Sequence, residues 1–168
     1  NLLRLDKTLA DLLAAVDESV GLSNTFIVLS SDHGSPDIPA YAKEQGFKAG
    51  VIPVEEIETT IEESLHRHYP AAESLLLKYY HPYIYLDRKR IAEQQLDRAE
   101  VERTLAKDLQ RMQGIVLAVS SSDIEAGNTP DDKIHRQITL NYHPDRSGDI
   151  YLAWAEHWSP IESIEVVN

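Results

Sequence analysis

Apolar residues are spaced along this chain in two ways. Leu2, Leu5, Leu9, Leu12, Leu13, Val16 and Val20 recur at helical intervals, with Asp6, Lys7, Asp11, Asp17 and Glu18 between them. That spacing predicts an amphipathic helix of about five turns, stopped by Gly21. The run from Thr25 to Ser31 carries the short apolar stretch Phe26, Ile27, Val28 and Leu29, two of them β-branched, which predicts a short buried strand. Residues 35–53, punctuated by Pro36, Pro39, Gly46 and Pro53, read as loop with one helical piece over 41–45. The character changes at Val54. Residues 54–68 form an acidic helix with Ile57, Ile61 and Leu65 as its apolar stripe, followed by strands over 74–80 and 82–87 on either side of His81. A helix begins at Asp97, where Glu100 completes the spacing of a capping box, and ends at Gly114. A strand over 115–120, a helix over 131–142 and a strand over 150–155 follow. This order predicts a compact α+β sandwich, ferredoxin-like with an extra strand.

A chain of 168 residues is long enough to bury roughly 70% of its unfolded surface. Its net charge of −12 argues against a nucleic-acid duplex as partner, because counterion release requires clustered Lys and Arg. Zero cysteines exclude a disulfide framework and a thiolate metal site. No apolar run reaches the ~20 residues of a membrane helix. The first residue is Asn and helical periodicity starts at Leu2, so the chain is expected to be cut from something longer.

Candidate chemistry concentrates where the apolar run 25–31 ends, in Asp32, His33 and Gly34. Neighbouring side chains of a regular strand point to opposite faces. Asp32 and His33 therefore share a target only where the pleat breaks, and Gly34 offers that break. A carboxylate and a neutral imidazole are both good ligands for zinc-like dications, and strand tips in α/β sheets are favoured ligand sites. The competing reading is a turn, with Asp32 capping a backbone amide. Asp37 is either a support for His33 or a solvated loop residue. His66 and His68 read as surface histidines, His81 as a turn residue, and His135, His143 and His157 as structural or exposed. Arg146 reads as structural, Ser120–Ser122 as a strand end followed by the N-cap of a short turn, and Tyr79, Tyr80, Tyr83 and Tyr85 as core or interface.

Four segments together resemble the alkaline phosphatase superfamily, in its branch of phosphate-irrepressible alkaline phosphatases and type I phosphodiesterase/nucleotide pyrophosphatases. They are Leu5-Asp6-Lys7 through Leu13, Val28 through Gly34, Ile84-Tyr85-Leu86-Asp87, and His143-Pro144-Asp145-Arg146-Ser147-Gly148-Asp149-Ile150. The resemblance implies an α/β fold, alkaline-phosphatase-like and partial, with an inserted α+β ferredoxin-like subdomain. It implies a two-zinc centre that hydrolyses phosphate mono- or diesters, in which Asp32 and His33 bind one metal. The Thr or Ser nucleophile and the other ligands would lie outside this chain, so the chain alone is expected to be inactive and to contain no catalytic residue. Residues 1–53 would belong to the metal-binding core, 54–155 to an accessory cap, and 156–168 to the return into the core. The resemblance also implies a small phosphorylated substrate and export to the periplasm or beyond. An open sheet edge in an isolated segment would favour dimerisation. A sulfatase or phosphoglycerate mutase of the same superfamily, and a non-catalytic α+β interaction module, are the alternatives.

Overall fold

The computed structural model describes residues 2–31, 34, 35 and 37–161. In chain order its elements are α1 (Leu2–Val20), α2 (Pro39–Glu44), β1 (Gly50–Pro53), α3 (Val54–His68), β2 (Leu76–Tyr80), β3 (Tyr83–Leu86), α4 (Arg88–Glu93), α5 (Arg98–Leu109), β4 (Ile115–Ser120), α6 (Ser121–Glu125), α7 (Lys133–Asn141), β5 (Ile150–Trp154) and β6 (Trp158–Ile161). A single 3₁₀ turn, Leu22–Asn24, follows α1. The chain divides into two compact units, Asn1–Ser35 and Pro36–Asn168.

In the first unit α1 runs the length that its periodicity predicts, and Gly21 closes it at a φ of 81°. None of its described side chains is buried. The predicted strand over 25–31 does not form. Phe26 is 92% exposed, Val28 72% and Leu29 80%. A strand exists only as a paired element, and one that is apolar on both faces needs cover on both. The sequence supplies the composition of such a strand, but no described strand pairs with it.

The second unit holds the core. β2, β3, β5 and β4 form an antiparallel sheet in that order. Period-two burial turns Ile84 and Leu86 of β3, and Ile150 and Leu152 of β5, toward one face. There they join Ile57, Ile61 and Leu65 from α3 and Val101, Leu105 and Leu109 from α5. The apolar stripe of α3 is the one the sequence predicts. Asp97 caps α5 by accepting from Ala99 N at 2.8 Å and Glu100 N at 3.2 Å. Asp87, Ser120 and Asp132 cap α4, α6 and α7 in the same way, each cap worth about 1 kcal/mol.

Four elements of the second unit depart from the sequence reading, one of them α6, a helix where only a short turn is expected. α4 forms where no helix is expected, with only Ile91 buried. β1 lies within the segment read as loop, and β6 follows the last predicted strand. The two pair in parallel, Gly50 with Trp158 through Pro53 with Ile161. β1 therefore stays out of the antiparallel sheet. The place between β3 and β4, where the first strand of a ferredoxin-like sheet would sit, is taken by β5.

Candidate functional site

The predicted metal ligands Asp32 and His33 lie outside the described residues. Gly34 beside them has open space where a Cβ would stand, so crowding does not explain the glycine. Among the described residues no group of three or more His, Cys, Asp or Glu side chains is placed to hold a metal ion. Asp37 lies in the second unit, its Oδ2 4.0 Å from Nδ1 of His157.

His68, His81, His135 and His157 are structurally engaged. Nε2 of His68 lies 3.0 Å from Oδ2 of Asp108. Burial works to raise the Asp108 carboxyl pKa, but the hydrogen bonds from Ser64 and His68 win and hold it low. Nδ1 of His135 lies 2.7 Å from Asp132, the residue that caps its own helix. His157 stacks against Phe47 with ring centroids 4.9 Å apart.

His81, at the β2–β3 hairpin, accepts a hydrogen bond at Nδ1 from the indole N–H of Trp154 at 3.1 Å. Burial lowers its pKa below the usual 6.5. A group whose folded-state pKa is depressed contributes stability above its unfolded value, and that contribution is lost as pH falls through the folded value. Urea unfolding should therefore show stability dropping as pH is lowered from about 7.5 to about 5.5. His81→Gln should flatten that drop, and an unchanged slope would remove His81 as its source.

The densest polar cluster is built from Arg98, Glu102, Ser121, Glu125, Tyr142, Arg88 and Asp149. Glu102 is 0% exposed. It accepts from Arg98 Nε at 2.6 Å, Ser122 N at 2.8 Å and Ser121 Oγ at 3.1 Å. Asp149 accepts from Leu86 N at 2.7 Å and Arg88 Nε at 2.6 Å. Glu125 takes a hydrogen bond from the Tyr142 hydroxyl, which, with Arg98, holds its pKa down against the opposing effect of burial. Every buried carboxylate here has charged and backbone donors. The cluster joins α5, α6 and the ends of β3 and β5, and it is architectural.

The same geometry explains the Arg-Ser-Gly-Asp segment. The Ser147 hydroxyl accepts from His143 N at 3.0 Å, and Asp149 N donates to Ile84 O at 2.7 Å. The backbone of Gly148 passes so close to β3 that a Cβ there would lie 2.7 Å from Ile84 O. This segment fastens a loop to a strand. Sequence reasoning missed the burial of Glu102, although its helical register beside Val101, Leu105 and Leu109 signals it.

A family model described as type I phosphodiesterase / nucleotide pyrophosphatase matches residues 1–167. Alkaline phosphatase PafA of Elizabethkingia meningoseptica is 26% identical over 150 residues, which is 89% of this chain and 27% of that protein. A protein named calcium-transporting ATPase from Myroides odoratus is 28% identical over 158 residues, 93% of this chain and 28% of that one. Alkaline phosphatase PhoV of Synechococcus elongatus is 24% identical, with 94% of this chain and 28% of that protein covered. The chain thus spans between 27% and 28% of the length of these relatives. The crystal structure of wild-type PafA shares the fold at a TM-score of 0.78 and 24% identity, covering 94% of this chain and 29% of the PafA chain. The mixed α/β architecture therefore matches part of an alkaline phosphatase fold, and the chain belongs to the type I phosphodiesterase / nucleotide pyrophosphatase family.

Proposed function

We propose that this chain is part of a phosphoester hydrolase and that it contributes Asp32 and His33 to a two-zinc centre. The observation that carries this reading is the family match, which runs through the Asp-His-Gly motif. The matched relatives are named alkaline phosphatases and an ATPase, enzymes of phosphate ester or anhydride hydrolysis. The donor chemistry fits a zinc-like dication, since one carboxylate oxygen and one imidazole nitrogen both suit it. Two donors leave a four-ligand shell incomplete, so the remaining ligands and the Thr or Ser nucleophile come from outside these 168 residues. A dication bound there supplies positive charge to phosphoryl oxygens. Asp32 and His33 would hold and orient that charge.

Residues 54–155 act in this reading as an accessory subdomain. They leave and return through neighbouring strands, β1 and β6, as an insertion does. Their acidity repels polyanionic substrates and favours small phosphate esters. Export to the periplasm or beyond accompanies this assignment by resemblance to the family.

The test uses the longer protein and the 168-residue chain side by side. In the longer protein, Asp32→Ala or His33→Ala should lower phosphoester turnover at least a hundredfold and reduce bound zinc. The purified 168-residue chain should show no turnover. Wild-type turnover and metal content in both variants would reject the site. Turnover by the chain alone, abolished by Asp32→Ala, would reject the need for outside ligands.

A further inference from the structure

Where β1 and β6 meet the rest of the second unit, the ring of Trp158 fills a gap that two glycines leave open. A Cβ on Gly50 would lie 2.5 Å from Cζ3 of that ring and 2.6 Å from Cη2. A Cβ on Gly114, at a φ of 92°, would meet the ring closer still and would lie 3.0 Å from Cδ1 of Ile52. Gly50 belongs to β1, and Gly114 is the turn residue just before β4. One benzo ring thus rests on the backbones of both the parallel pair and the antiparallel subdomain.

Hydrogen bonds surround it. Gly50 N donates to His157 O at 3.2 Å, Ala155 N to Gly114 O at 2.8 Å, and Trp158 N to Ala155 O at 3.0 Å. Ile52 of β1 is buried in the same core as the subdomain's own residues, and Trp158 packs against that core.

We propose that Trp158 is a wedge that locks the β1/β6 pair to the antiparallel subdomain, so that residues 50–161 move as one body and not as a lid on two loose linkers. Packed interiors deform in discrete steps, not continuously. With the ring seated on two Cα atoms, no rotation between the pair and the sheet is possible unless the ring leaves. The inference takes its interest from the reading of residues 54–155 as an accessory subdomain. Its test does not use catalysis, so it fails or stands apart from the Asp32 and His33 experiment.

Hydrogen exchange of the full chain is the measurement. Trp158→Leu should speed exchange of the β1 and β6 amides at least tenfold, with β3 and β5 amides unchanged. Trp158→Phe should restore most of the protection. Gly50→Ala, which displaces the ring from the β1 side alone, should reproduce the same local pattern and serves if Trp158→Leu does not fold. Unchanged protection of β1 in Trp158→Leu, or in Gly50→Ala, would overturn the proposal. So would an equal loss of protection across both sheets in the folded variants, because the ring would then be ordinary core.

Discussion

Replacing Glu102 with alanine should destabilise the second unit by about 3–5 kcal/mol, read from urea unfolding of the chain. The carboxylate is fully buried and is the acceptor for a guanidinium, a hydroxyl and the amide of Ser122 at the start of α6. Alanine leaves Arg98 near Glu125 and Asp149 without its strongest partner and strands an amide away from water. Two controls separate these contributions. Glu102→Gln keeps an acceptor for Ser122 N and should recover part of the loss. Arg98→Met combined with Glu102→Gln removes the charge imbalance and should lie closer to wild type than Glu102→Ala. A loss below about 1 kcal/mol for Glu102→Ala would show that water reaches the site and that the burial has no energetic weight.

Gly148→Ala should be strongly destabilising for a single-methyl change, because the clash is with a strand's backbone. The φ of Gly148 is not in the left-handed region, so the penalty is steric and not torsional. The added carbon would lie 2.7 Å from Ile84 O and 2.7 Å from Tyr83 Cβ, both fixed within a central strand. Neither neighbour is the mobile end of a long side chain, so relief requires the loop to lift. Lifting it breaks the bond from Asp149 N to Ile84 O and pulls Asp149 from Leu86 N and Arg88. Overpacking alone costs about 1–3 kcal/mol, and loss of the anchored carboxylate adds to it. Gly127→Ala, at a φ of 69° with open space around it, should cost only about 1 kcal/mol. Equal midpoints for the two variants in thermal unfolding would show that the close approach at Gly148 is relieved at little cost.

Both results bear on how the sequence is read. The stripe Ile57, Ile61, Leu65 and the cap at Asp97 are local signals, and the structure contains both. β1 and β6 are four residues each, carry Pro53 and Pro160, and find their partners more than a hundred positions away. Nothing within either segment announces a strand. Residues 25–31 teach the converse lesson. Their composition is that of a strand, but composition supplies no neighbour, and Phe26 and Leu29 stay exposed. Glu102 lies four residues after Arg98 and reads locally as half of a surface ion pair. Only the packing of α5 on β4 and α6 makes it a buried one. From residue types alone the Asp-His-Gly motif reads equally as half of a metal site or as a turn, and Asp32 and His33 lie outside the described residues.

The parallel pairing of β1 with β6 has a topological consequence. Two adjacent strands that run the same way are normally linked by a crossover of about a dozen residues. Here the antiparallel sheet and all the helices from α3 to α7 occupy that crossover. Loop-closure entropy rises only logarithmically with length, so such a link can grow to the size of a small protein at little thermodynamic cost once its contents fold by themselves. The geometry therefore tolerates changes of length between Pro53 and Trp158 wherever the Gly114 turn under Trp158 and the core around Ile52 are kept.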